Sequence, residues 1–347
     1  MKERVLYADI LRVAAIFLVI MIHISSRDFG LYEIDSYQWQ VLNVYDSFAR
    51  MSVPLFFMMS GVFFLDPKRE FSIKKLYKKN LFRLVTAFIF WSALYSLIFT
   101  WNEYRTFNTE VWGVIYEAFK EGHFHLWFLF RMIEIYVMVP FLRKIAEDKK
   151  IILYLITFCF YIGFILPSYH EFPVSSTVTF VERGINLDIT FGYVGYFFTG
   201  YYLAHYDLKK WMKTGLYLLG TAGLIITIMI TSVESLKQGT HYDLPYEYLT
   251  PNVFLMSIAA FLLAKESLNP KNVSMRFKQI LSELSTYSFG IYLVHVLIIF
   301  LLWKTGLTTV FITPILSVPL LTLLIFCISY VCVKGMAQLP FVKRFIL

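Results

Sequence analysis

Long apolar runs recur ten times along this chain, and nothing else in the sequence constrains its fold as tightly. They lie near 6–25, 48–65, 81–100, 124–142, 151–167, 190–205, 211–232, 251–264, 283–303 and 310–334, the fifth, sixth and eighth being short. Most span about 17 to 24 residues, the length at which a helix crosses roughly 30 Å of hydrocarbon. The expected class is therefore all-α: a polytopic membrane bundle of about ten transmembrane helices, one domain over residues 1–347. Composition agrees, since 16% of residues are charged against about 25% in soluble domains. The N-terminal segment could pass for a signal peptide. No A-x-A-like cleavage site follows it, and Arg12 and His23 sit badly in a signal-peptide core, so it is read as a retained first span.

Charge then orients the spans. The termini and the even-numbered loops hold 21 Lys and Arg, whereas the odd-numbered loops hold six. The positive-inside rule places both termini and the basic loops in the cytoplasm. Ten crossings return the chain to its starting side, so count and charge agree. The net charge of +8 is mostly this bias and calls for no nucleic acid partner. Cys159, Cys327 and Cys332 all fall inside spans without framework spacing, and they read as buried apolar thiols.

Ionisable groups inside spans are costly, and a sequence keeps them when they pair or do chemistry. Arg12 and His23 share the first span. Eleven residues are close to three whole turns, so both side chains fall on one face, separated by about 16 Å along the axis. Arg12 lies towards the cytoplasm and His23 towards the outside. Asp9 could neutralise Arg12, three residues away, and His23 could reach an interface. The alternative is that the pair lines a functional cavity. Arg50 opens the second span as a topology anchor or as a wall of an outward cavity with His23. Ser60 and Gly61 suit close helix packing.

The loop 66–80 carries six basic residues, among them Lys75 and Lys79, with Arg83 just inside the next span. It reads either as an anchor on anionic lipid or as a phosphate site for a polyanion such as coenzyme A. His123 and His125 are two apart, so on a helix they would point away from each other. With no Cys or carboxylate to complete a ligand set, no metal is expected there. Arg131 and Glu134 have the spacing of a helical ion pair. His295 lies near the middle of the ninth span, where it either bonds structurally or lines the active cavity. The outer loop 168–189, with Glu182 and Arg183, and nearby aromatic residues such as Trp127 fit carbohydrate binding by composition.

These elements resemble acyltransferase family 3, the integral membrane acyltransferases, and within it the branch containing the O-acetyltransferase of enterobacterial common antigen. The likeness rests on Asp9, Leu11 and Arg12 followed by His23, then RMSVPLFFMMSG at 50–61 and HLWFLF at 125–130 with Tyr136 and Pro140. YFFTGYYLA at 196–204 and SFGIYLVH at 288–295 complete it. It departs in two places: KKNLFR stands where the family commonly has R-x-x-R, and Arg131 where many members have Glu. The resemblance implies a helical bundle in a bacterial inner membrane. It implies an acyl donor, usually acetyl-CoA, arriving from the cytoplasm, and an acceptor hydroxyl on a glycan or lipid-linked sugar beyond the membrane.

It assigns catalysis to His23 and acyl-donor binding to Arg12. On that assignment Lys75, Lys79 and Arg83 are expected at the donor, and Arg50, His125, Trp127, Glu182 and His295 at the acceptor. The expected partners are acyl-CoA, the glycan acceptor and membrane lipids, with self-association left open and no metal cofactor. The competing expectation is a polysaccharide or glycolipid exporter or flippase that performs no acyl transfer. Such a transporter would favour repeated halves, and no internal repeat is found in the sequence.

Overall fold

The computed structural model describes residues 5–106, 108–170, 190–267 and 272–347. In chain order its helices are α1 (Leu6–Ser25), α2 (Tyr37–Ala49), α3 (Ser52–Phe64), α4 (Phe82–Tyr104), α5 (Thr109–Glu121) and α6 (Trp127–Ile145). They continue with α7 (Lys149–Phe160), α8 (Thr190–His205), α9 (Lys210–Gln238) and α10 (Pro251–Ser267). The last three are α11 (Met275–Lys304), α12 (Pro314–Met336) and the short α13 (Pro340–Phe345). There is no strand among the described residues. Nine helical stretches among them are long and apolar enough to cross a membrane. The run expected at 190–205 is α8, a 16-residue helix. The chain is a multi-pass membrane protein.

Two crossings are composite. The second span starts at Tyr37 rather than at residue 48 and is made of α2 and α3. Pro54 sets the joint, because a proline ring clashes with the carbonyl four residues back, here that of Arg50. The helix accordingly breaks at Arg50–Met51, on the middle of the crossing rather than at its end. The α2 half was masked by Asn43 and Asp46, both fully buried. Asn43 donates to the Ile228 carbonyl of α9 at 3.0 Å. The second composite joins α5 and α6 across Gly122, whose φ of +76° favours glycine. α5 lies between two apolar runs, in a segment with none of its own, and buries only Val111 and Ile115.

α1 is apolar on nearly every face and takes the centre, packed against α2, α3, α11 and α12. α3 crosses α8 backbone to backbone: a Cβ on Gly61 would lie 1.8 Å from the Phe197 carbonyl oxygen, and one on Gly200 would lie 2.1 Å from that of Met58. α9 and α10 pair on the periphery, with Leu218, Ile225 and Met229 facing outward as lipid-contacting surface. Cys159 is buried as expected, but Cys327 is exposed on the outer face of α12. The C-terminal turn docks on α4, where Thr86 Oγ1 donates to the Phe345 carbonyl and Trp91 Nε1 to that of Ile346. At the opposite end Asp28 is a latch, accepting from the Thr309 amide at 3.0 Å and from Trp303 Nε1 at 3.1 Å.

Candidate active site

A cavity of about 470 Å³ opens among the basic loops. Arg12 of α1, Arg69 of the α3–α4 loop and Arg83 of α4 line it, and Phe56, Phe128 and Tyr292 close its deep end. The Arg12 and Arg69 guanidiniums both lie over the Phe63 ring, each 4.6 Å from its centroid. Arg83 lies 5.1 Å from Phe289. Asp9 lines the same cavity, 4.0 Å from Arg12 and accepting from the Ser285 hydroxyl at 2.6 Å. Three guanidiniums against one lining carboxylate leave a positive surplus whose planar donors suit phosphate oxygens. Arg69 is placed from behind. It bonds Asp66 at 3.2 Å, while Arg143 of α6 donates to the carbonyls of Phe64 at 2.6 Å and Arg69 at 3.3 Å. Lys75 and Lys79, expected beside Arg83, are exposed and do not line the cavity.

Beyond Tyr292 four histidines converge. His295 lies one turn further along α11, its ring centroid 5.2 Å from that of His23 and 5.5 Å from that of His125. His125 and His123 meet Nδ1 to Nδ1 at 2.9 Å. The spacing argument that sent those two apart presumed a helix. They precede α6 instead: His123 has extended backbone and His125 sits in the single 3-10 turn Phe124–Leu126 that follows. Across that change of conformation side chains two apart can meet. Tyr95 of α4 stacks on His123 at 4.6 Å, and its hydroxyl donates to the Leu293 carbonyl at 2.7 Å. The Tyr292 hydroxyl donates to the His125 carbonyl, tying the cavity's end wall to the cluster. Arg12 and His23 therefore share a face in the way their spacing predicts, one on the cavity and one in the cluster.

Arg50 belongs to a separate, more outward group. It bonds Asp46 at 2.6 Å and lies 4.3 Å from the Tyr246 ring. Trp127 stacks on Tyr248 at 5.5 Å and stands 5.8 Å from Tyr193. Arg131 and Glu134 form their ion pair at 2.8 Å. Glu182 lies outside the described residues. No set of three or more His, Cys, Asp or Glu among the described residues is arranged to hold a metal ion.

Arg12 and Asp9 of the cavity, with Phe56, Phe128 and Tyr292, and three of the four histidines, His23, His125 and His295, come from the stretches that carry the family likeness, whereas Arg69, Arg83 and His123 lie outside them. Residues 5–334 match the family model of the acyltransferase domain Acyl_transf_3. The chain belongs to acyltransferase family 3. No curated protein and no solved structure matches it. A cavity lined by guanidiniums and ending beside imidazoles can hold a polyanion with its far end next to proton-accepting nitrogens. The sequence reading missed Tyr95, His123, Tyr292 and Arg143 as parts of the site. His123 had a usable signal in its neighbour His125, and Tyr292 in its turn-spacing from His295. Nothing in the sequence singles out Tyr95 or Arg143, which are placed by tertiary contact alone.

Proposed function

We propose that this family 3 member is a membrane-bound O-acyltransferase that moves a short acyl group, acetyl foremost, from cytoplasmic acyl-CoA to a hydroxyl of a glycan or lipid-linked sugar. Its expected location is the inner membrane of a bacterium. One observation carries the reading: the arginine-lined cavity ends at Tyr292, whose ring adjoins His125 at 5.7 Å and His295 at 5.9 Å, with His23 next to them. Arg12, Arg69 and Arg83 would hold the phosphates of the donor by charge-assisted bonds. The thioester arm would then run along the face of α1 that joins Arg12 to His23, a rise of about 16 Å.

His23 acts as general base. It takes the proton of the acceptor hydroxyl as that oxygen attacks the thioester carbonyl. The tetrahedral centre collapses with cleavage of the C–S bond, and the His23 imidazolium returns the proton to the departing thiolate. Ester and free thiol are the products, and the imidazole ends as it began. Arg50 and Trp127, with Tyr248, would face the acceptor from the outer side, since a flat aromatic pair beside a guanidinium suits a sugar ring and its hydroxyls.

The test supplies acetyl-labelled CoA to the cytoplasmic face of membranes expressing the chain and follows label into glycan and glycolipid. Wild type should transfer label. His23→Ala should reduce transfer by about a hundredfold or more, the low end of a general base's contribution, and Arg12→Ala should raise the acetyl-CoA needed. Full transfer by His23→Ala would overturn the mechanism. Absence of transfer with any short acyl-CoA, while glycan export depends on the chain, would favour an exporter.

A further inference from the structure

His295 sits at a position its own helix has already half decided. Its Nδ1 bonds the Tyr292 carbonyl at 2.6 Å. A carbonyl only accepts, so Nδ1 carries the hydrogen. The ring is fully buried, and no carboxylate touches it among the described residues. Burial without a counter-charge favours the neutral ring, and a neutral ring protonated at Nδ1 presents a lone pair at Nε2. That Nε2 is buried and has no hydrogen-bond partner. An unmet acceptor in such a place calls for a donor.

The nearest ring to supply one is His23, at 5.2 Å between centroids. His123 and His125, at 5.1 Å and 71° between ring planes, are bonded nitrogen to nitrogen. His23 and His295 stand at a similar separation with their planes 30° apart, so it takes a rotation of the His23 ring to bring two nitrogens together. His125 is the other neighbour, and its own Nε2 is likewise buried without a partner. Its Nδ1, however, is held by His123 and its backbone by the Tyr292 hydroxyl, so its ring cannot turn toward His295 without breaking the bond to His123. His23 makes no hydrogen bond of its own among the described residues, and a turn of its ring would bring an N–H to His295. A general base needs such an acceptor behind it, to set which nitrogen faces the substrate and to steady the imidazolium. Among the described residues no carboxylate forms an ion pair or hydrogen bond with His23 to do so.

We infer that His295 is the positioning residue for His23: its Nε2 accepts the His23 N–H and leaves the other His23 nitrogen as the base. The inference rests on His23 being that base. It removes His295 from the set of acceptor contacts expected from the sequence. The proton that shuttles in the reaction stays on His23, so His295 neither gains nor loses one.

Asparagine and glutamine separate this role from a structural one. His295→Asn places its amide N–H near the Nδ1 position and keeps the bond to the Tyr292 carbonyl, whereas His295→Gln reaches the Nε2 position with an acceptor oxygen. Transfer of label from acetyl-CoA in source membranes freed of the native copy is the readout, with titration of acetyl-CoA. His295→Gln should stay within about tenfold of wild type. His295→Asn should lose about a hundredfold or more in kcat, as a wrongly held imidazole does, with the KM for acetyl-CoA within about twofold. The inference is overturned if Asn outperforms Gln, if Asn fails to fold in detergent, or if the loss lies in KM with kcat intact. His23→Ala run in parallel keeps the two readings apart. Retained transfer there removes the base itself, while lost transfer there with an active Asn variant removes only His295.

Discussion

Arg69 and Lys79 stand ten residues apart in one basic stretch, and only the arginine reaches the cavity. The difference is made by the chain's turn after α3. Asp66 and the Arg143 fork fold the loop back on α6, so Arg69 comes to lie beside Arg12 on Phe63. Lys74 and Lys75 follow on the short helix Ile73–Lys75, and Lys78 and Lys79 on the turn Leu76–Leu81, all four facing outward. In a sequence all six basic residues of this stretch look alike, because positive-inside anchoring and phosphate binding draw on the same residue types. A charge-assisted hydrogen bond contributes about 1.5–3 kcal/mol. Arg69→Ala and Arg83→Ala should therefore raise the KM for acetyl-CoA by about tenfold or more, at roughly 1.4 kcal/mol per tenfold. Lys75→Ala and Lys79→Ala should leave it within about twofold. Initial rates of label transfer across an acetyl-CoA series measure all four. An equal response from the lysines would mean that the donor lies across the loop and not in the cavity.

At the scale of the helix, apolar length was legible and polar helix was not. The spans at α1, α4, α11 and α12 were read near their true positions because each carries an uninterrupted apolar run. The second span, read as 48–65, leaves out nearly all of α2, and α5 lies outside every apolar run, since burial of Asn43 and Asp46 depends on partners in other helices, and α5 buries too narrow a stripe to register. The histidine cluster was legible in part. Arg12 and His23 fall on one face by arithmetic, whereas the meeting of His123 with His125 depends on a turn that only Gly122 hints at. Gly61 was read correctly as a packing residue, and its environment makes a prediction. A methyl there meets the Phe197 backbone carbonyl, which cannot swing aside as a side chain could. Gly61→Ala and Gly200→Ala should each lower stability by about 1–3 kcal/mol or more, the cost of overpacking a tight contact. Gly335→Ala, with open space around it in α12, should be neutral or stabilising by up to about 1 kcal/mol. Thermal unfolding followed by gel filtration in detergent compares them. If Gly61→Ala were as stable as Gly335→Ala, the close crossing of α3 and α8 would be wrong.

For the whole molecule, the two ends of α1 must meet two different compartments. Val5 and the C-terminal turn sit at the arginine end, and the stretch from Asp28 to Tyr37 lies at the other. The proposed donor, a polyanionic thioester, cannot cross hydrocarbon, and the proposed acceptor, a glycan beyond the membrane, cannot reach the cytoplasm. A transfer site is consistent with both only if the donor cavity opens inward and the base lies further out along the same helix. The arginine end is also the end that the basic loops mark as cytoplasmic. Sealed inverted vesicles should therefore use acetyl-CoA added outside them, and sealed right-side-out vesicles should not. Cysteine-free protein carrying Lys78→Cys should react with an impermeant maleimide only in the inverted vesicles, and Asp35→Cys only in the right-side-out ones. Agreement of the labels with opposite use of acetyl-CoA would move the donor to the Arg50 side. Reversal of the labels would show that the charge bias had been read with the wrong sign.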